Sequence, residues 1–325
     1  MRALVYTGPE AMEMREVAQP EPGPGQALVK VEKVGICGSD MHAFLGHDER
    51  RVPPLSLGHE AAGVVIGGAR DGQRVAVNPL MACGTCAACA SGRVHICANR
   101  KLVSIPPFEG AFAEYVLARE ETLVSVPADF PFKKAALAEP LAVCWHAAKL
   151  GMRVLDGPLE RVLVIGGGPI GLGVSLCMKA LCDEVEVVIS EPVGLRREYL
   201  GGLGEAAVAP EAVLGAFDLV VDAVGYGPTR EAACAAVRPG GTIVHLGLGS
   251  ATGGVDVRRL TLQEIAFVGS YCYTPGEFSE TVEAMLDGRL GALDWFEERP
   301  LDAGQGAFED IRAGVVAAPK IILVT

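Results

Sequence analysis

The segment Val162-Leu-Val-Ile-Gly-Gly-Gly-Pro-Ile-Gly-Leu-Gly173 constrains the fold of this 325-residue chain more than any other. An apolar run leads into Gly166, Gly168 and Gly171 in G-x-G-x-x-G spacing, and a helix-spaced pattern follows. The spacing alone is a weak signal; a strand before it and a helix after it make it informative. In that setting the first glycine permits the turn and the second lets a pyrophosphate approach the backbone. The third lets strand and helix pack closely, while the helix start at Pro169 and Ile170 turns its amides toward the phosphates. Glu191 follows the next apolar run, twenty residues past Gly171. A carboxylate there accepts from a ribose 2′-OH and repels a 2′-phosphate, which favours NAD over NADP. Arg196 and Arg197 pull the other way, since either has the reach to meet a phosphate.

The surrounding pattern agrees with a two-domain chain. Residues before about 141 carry short apolar runs separated by Gly and Pro, such as 27–34, 62–66 and 75–77, which read as a β-rich, barrel-like domain. From there to about 270, strand-like runs (161–165, 185–190, 217–223, 241–246, 265–269) alternate with helix-like ones (170–181, 229–237). Alternation of that kind implies a parallel sheet with helices on both faces. The tail, with a helix at 276–286 and a strand at 320–324, reads as a return to the first domain. The expected division is therefore 1–141 with 271–325, and 142–270.

The cysteines bear on chemistry. Ten occur in a long chain with no visible export signal, so clustered thiols point to metal rather than disulfides. Cys83, Cys86, Cys89 and Cys97 stand in C-x2-C-x2-C-x7-C spacing, in a lobe at about 80–100. Four thiolates close a tetrahedron around Zn²⁺ and leave no open position, which makes the site structural. An iron–sulfur cluster or a redox-active pair fits the spacing less well. Three further segments carry other ligand types: Gly35-Ile-Cys-Gly-Ser-Asp-Met-His42, Gly58-His-Glu60 and Ala138-Glu-Pro-Leu-Ala142. Cys37, His59 and either Glu60 or Glu139 would supply the three protein ligands of an open zinc site.

With these motifs in this order, the chain resembles the zinc-containing medium-chain dehydrogenase/reductase family, and within it the polyol, butanediol and threonine dehydrogenase branch. The resemblance runs the length of the sequence. It implies an α/β fold, with a GroES-like β-rich catalytic domain and a Rossmann doubly wound parallel sheet. It implies two zinc ions per chain, one catalytic and one structural, and NAD as cofactor. By that similarity Cys37 and His59 ligate the catalytic zinc, and Glu60 and Glu139 occupy ligand or near-ligand positions. Asp40 orients the histidine, Ser39 and His42 form a proton path, and Gly225 and Gly247 border the nicotinamide. The same similarity puts Phe44, Phe108 and Tyr271 at a substrate pocket. The turn between His59 and Cys83 is short for the family.

A net charge of −12 opposes binding to nucleic acid or an anionic membrane surface. The longest uncharged run, 162–178, is broken by five glycines and a proline and does not read as a membrane span. The expected setting is the cytoplasm, as a homodimer or homotetramer acting on a small alcohol or polyol. Rival readings are L-threonine 3-dehydrogenase or 2,3-butanediol dehydrogenase activity, a zinc-free reductase on the same fold, and a zinc- and NAD-binding redox sensor. Asp48-Glu-Arg-Arg51 reads as a solvated loop. Glu191→Ala is expected to weaken NAD binding far more than NADP binding in titrations of both cofactors. An equal response would show that Glu191 does not read the ribose.

Overall fold

A computed structural model describes residues 1–325, which divide into two compact units. The first comprises residues 1–140, 274–287 and 293–325; the second comprises 141–273 and 288–292.

Alternating Val, Ala and Leu build the sheets of the first unit. Its main sheet runs in the order 123–125, 74–77, 60–66, 26–35, 320–324 and 296–300, with strand 115–119 also paired to 26–35. A second sheet of three strands joins 11–16, 2–8 and 55–56. The long strand Gln26–Gly35 is the hub, because it pairs antiparallel with Glu60–Ile66 on one side and Lys320–Val324 on the other. The core between the sheets gathers Leu4, Val29, Val31, Phe44, Leu57, Phe112, Phe308 and Ile321, all almost completely buried. Phe308, on the helix Gly304–Ala313, lies 5.0 Å from the Phe44 ring and 6.0 Å from the Phe112 ring. Phe44 therefore belongs to the core rather than to a substrate pocket: at 0% exposure it fills space between rings and faces no opening.

The second unit is a six-stranded, wholly parallel sheet in the order 206–208, 186–190, 161–165, 217–222, 237–245 and 266–269. Numbered along the chain this is 3-2-1-4-5-6, the doubly wound order, with its switch point between 161–165 and 217–222. Continuous apolar runs such as Arg161–Ile165 suit strands covered on both faces. Helix Pro169–Leu181 follows the first strand across the glycine turn, where Gly166 has φ +99°. Gly171 is required by close approach, because a Cβ there would sit 1.7 Å from the Gly166 carbonyl oxygen. The strand expected at 241–246 starts earlier, at Val237, and the helix before it ends at Ala236. No helix is long and apolar enough to cross a membrane.

Phe308→Ala is expected to cost about 3–5 kcal/mol through the cavity it leaves among three rings, read by denaturant unfolding. A loss below about 1 kcal/mol would mean that the ring cluster does not anchor this core.

Candidate active site and metal centres

The chain places three unlike donors within 4.8 Å of one another: the Cys37 thiol, the His59 imidazole and the Glu60 carboxylate. The hub strand delivers Cys37 at its end, just before the helix Gly38–Phe44. His59 immediately precedes the neighbouring strand, which Glu60 opens by pairing with Gly35. That pairing needs glycine, because a Cβ at Gly35 would lie 2.1 Å from Glu60 Oε2.

Charge is balanced around the trio. Asp40 is fully buried; its Oδ2 accepts from the Cys37 amide at 3.0 Å, and its Oδ1 lies 3.5 Å from His59 Nδ1 and 4.0 Å from Arg51 Nη2. Burial works against the charged carboxylate, but His59, Arg51 and the Cys37 amide outweigh it and hold Asp40 below the ordinary carboxylate range. Burial likewise opposes an imidazolium at His59, yet the charges of Asp40 and Cys37 raise that group well above its ordinary value. His59 Nδ1 makes no well-aligned hydrogen bond. With Nδ1 turned toward Asp40, Nε2 is the nitrogen left to face a metal.

Glu60 meets a partner that sequence reasoning passed over. Lys320, on the terminal strand, donates to both Glu60 oxygens at 2.7 Å and to the Ile36 carbonyl at 2.9 Å, with neither side chain more than 1% exposed. Burial would lower the lysine, but Glu60, Cys37 and Glu139 raise it. Glu139, in the first turn of helix Ala138–Val154, is also buried but is not part of the trio. Only the tertiary fold brings Lys320 here, 260 residues after Glu60, so nothing local in the sequence marks it.

Arg51 alone departs from the solvated-loop expectation for 48–51, a loop in which Glu49 and Arg50 are exposed. It is 2% exposed, and its guanidinium donates to the Ser39 and Ser104 carbonyls at 2.9 and 3.0 Å, to Asp48 Oδ2 at 3.0 Å and to Ser39 Oγ at 3.4 Å. A guanidinium this deep needs its donors occupied, and these acceptors take four of its five N–H groups, with Asp40 facing Nη2 at 4.0 Å. Ser39 and His42 lie one turn apart on the same short helix, both half-buried. Phe108 lines an apolar cavity of about 470 Å³ with Val17, Leu55, Val116 and Pro20, none of them a donor of the trio. Tyr271 is exposed.

The four-cysteine lobe is assembled as well. Its sulfurs lie 3.4 Å (Cys83–Cys97), 3.5 Å (Cys86–Cys89), 3.7 Å (Cys86–Cys97) and 4.0 Å (Cys83–Cys89) apart. All are far too long for a disulfide, yet close to the roughly 3.8 Å that a tetrahedron with Zn–S of about 2.3 Å requires. The Thr85 and Cys86 backbone amides pull the Cys83 thiol down to about 5, while desolvation and the Cys86 thiol push Cys89 up to about 11.

In the second unit, Gly168 caps helix Pro169–Leu181 and faces open space, since a Cβ there would meet nothing within 4 Å. Pro169 and Ile170 form the first helical residues. Glu191 is 3% exposed; Oε2 accepts from the Gly167 amide and Oε1 from the Val193 amide, both at 2.8 Å. Arg196 Nη1 lies 3.6 Å from that carboxylate, and its buried Nε has no partner. A cradle open at Gly168, with a carboxylate and an unsatisfied guanidinium at its far rim, fits a dinucleotide. Gly225 and Gly247 follow the fourth and fifth strands of the order and touch backbone to backbone, a Cβ on Gly225 falling 2.2 Å from the Gly247 carbonyl oxygen.

Residues 23–128 match the family described as alcohol dehydrogenase GroES-like domain, and residues 171–287 the family described as zinc-binding dehydrogenase. The chain is 32% identical over 310 residues to L-galactonate-5-dehydrogenase of Escherichia coli (strain K12), covering 90% of this chain and 89% of that one. It is 30% identical over 344 residues to L-threonine 3-dehydrogenase of Pyrococcus abyssi, covering 97% and 96%. Among solved structures, L-idonate 5-dehydrogenase from Escherichia coli superposes with a TM-score of 0.85 at 27% identity, over 100% of this chain and 98% of that one. The chain belongs to the zinc-containing medium-chain dehydrogenase/reductase family and is an oxidoreductase of its alcohol and polyol dehydrogenase class.

Lys320→Met is expected to destabilise the protein by about 3–5 kcal/mol in denaturant unfolding, because it strands a buried carboxylate. Adding Glu60→Gln should recover most of that loss. A single variant as stable as the parent would show that Lys320 does not compensate the buried Glu60 carboxyl.

Proposed function

We propose that the protein oxidises a secondary hydroxyl of a small polyol or hydroxy acid to a ketone, using NAD, in the cytoplasm and as a homodimer or homotetramer. The trio of half-buried Cys37 thiol, buried His59 imidazole and buried Glu60 carboxyl carries this reading. A four-thiolate site is closed, whereas a three-donor site leaves a position for a substrate oxygen. Cys37 and His59 would hold the catalytic zinc, with Glu60 or Glu139 as the third protein donor, and Cys83, Cys86, Cys89 and Cys97 would hold a structural one. When bound, zinc supplies Lewis-acid polarisation of the substrate oxygen and NAD supplies the hydride acceptor.

The chain's own residues perform the rest. Asp40 fixes the ring of His59. Ser39 Oγ, which accepts from Arg51, would receive the substrate hydroxyl proton as it gives up its own toward His42, which passes a proton on to solvent. The glycine turn and the amides at the start of helix Pro169–Leu181 bind the pyrophosphate, and Glu191 with Arg196 meets the adenosine ribose. The relatives named above act on L-galactonate, L-threonine and L-idonate by their names. All three are hydroxy acids, so hydroxy acids join sorbitol-like polyols and 2,3-butanediol as the substrates to compare.

A screen of these alcohols with NAD is expected to find turnover on at least one class. Metal analysis should return about two zinc ions per chain, and about one in Cys37→Ser. That variant should lose turnover while NADH binding persists, followed by fluorescence. Undiminished turnover in Cys37→Ser would sink the assignment.

A further inference from the structure

Two loops leave the carboxyl ends of neighbouring strands in the second unit, Ala223–Tyr226 after strand 217–222 and Leu246–Gly254 after strand 237–245. In a doubly wound sheet the ligand lies in the crevice outside these ends, beside the switch point. The two loops cross in backbone contact. A Cβ on Gly247 would lie 2.0 Å from the Val224 carbonyl carbon, and one on Gly254 would lie 2.0 Å from the Gly227 carbonyl oxygen. The Gly249 amide donates to the Val224 carbonyl at 3.1 Å, and the Ser250 amide to the Gly225 carbonyl at 2.9 Å.

A pair of opposite charges brackets this crossing. Asp222, fully buried, accepts from the amides of Val224 and Gly225 at 3.0 and 2.9 Å and from the Thr229 hydroxyl at 3.0 Å. Arg230, 4% exposed, takes the carbonyls. Nη1 donates to Thr252 O at 2.8 Å and Gly253 O at 2.6 Å, and Nη2 donates to Gly225 O at 2.8 Å, to Ser250 O, and to Ser250 Oγ at 3.2 Å. His245 stands between the two, its Nε2 3.5 Å from Arg230 Nε and its Nδ1 3.4 Å from Asp222 Oδ2. Burial keeps that imidazole below its ordinary pKa, Asp222 opposing and Arg230 assisting, so the histidine fills the gap uncharged.

We infer that Arg230 is the positioning residue for the nicotinamide half of the dinucleotide. By collecting four carbonyls of two loops on one planar fork, it fixes the wall against which the ring packs. Arg230 makes no hydrogen bond to the pyrophosphate turn, where Glu191 accepts from the Gly167 amide and Gly171 packs on Gly166; Val224 is the point at which the loops meet that turn, its Cγ2 lying 2.5 Å from where a Gly166 Cβ would stand. A lysine cannot replace it, because three donors on one nitrogen do not span acceptors set around a guanidinium plane. The inference rests on the dinucleotide reading proposed above and adds a residue that touches the cofactor only through the loops it holds.

The test compares NADH with ADP-ribose, which has the adenosine and both phosphates but no nicotinamide. Dissociation constants are measured by fluorescence and calorimetry on the zinc-loaded protein. In Arg230→Met and Arg230→Lys, NADH is expected to weaken by roughly tenfold or more, the scale of leaving buried acceptors unsatisfied. ADP-ribose should stay within about twofold, well under the tenfold that 1.4 kcal/mol represents. Hydrogen exchange on ligand-free Arg230→Lys, the milder change, should show faster exchange at the Gly249 and Ser250 amides. Unchanged NADH binding, parallel weakening of both ligands, or undisturbed exchange at those amides would each overturn the inference. A parent protein that binds ADP-ribose but not NADH would overturn it too while leaving the pyrophosphate site standing, and binding of neither would remove the dinucleotide reading itself.

Discussion

The ion pair between Glu60 and Lys320 is the constraint on which the first unit's geometry depends. A carboxylate with no exposure stays ionised only beside a compensating charge. The lysine meets that need and spends its third donor on the Ile36 carbonyl. It thereby joins the terminal strand to the start of strand 60–66, just after His59, and to the residue that follows the hub strand, just before Cys37. The spacing of the thiol and the imidazole is set by a residue belonging to neither of their segments.

The same logic recurs around Asp40 and Asp222. Each buried carboxylate collects backbone amides, and each has a buried arginine nearby that collects backbone carbonyls: Arg51 at Ser39 and Ser104, Arg230 at the loop crossing. Irregular backbone carries donors and acceptors that no sheet or helix satisfies, and burying it requires side chains of both signs. These pairs hold loops, and loops carry the chemistry in both units.

Much of this was legible in the sequence because it was local. The glycine turn, the thiol spacing and the alternation of apolar runs each express one stretch of backbone, and the doubly wound sheet followed from them. The trio required long-range convergence, which spacing cannot report; only family resemblance joined Cys37 to His59 in advance. Lys320 and Arg51 were illegible for a different reason. A charged residue in a loop, like Arg51, or at the start of a strand, like Lys320, reads as solvent-facing unless a buried acceptor is known to await it. Phe44 misled in the opposite sense, since its place near the motif suggested a pocket while its ring packs on Phe308 in the core, beside the Phe112–Phe308 contact.

The separation of Glu60 from Lys320 also bears on how the chain is made. Residues 141–273, nearly all of the second unit, are synthesised between the two partners. A nascent first unit therefore holds an acidic group destined for its interior long before the base that neutralises it leaves the ribosome. The nucleotide-type sheet, whose strands are all contained within that span, can close while the β-rich unit is still waiting for its last strand. Chain order thus places the closing of the Glu60–Lys320 contact after every strand of the second unit has been made.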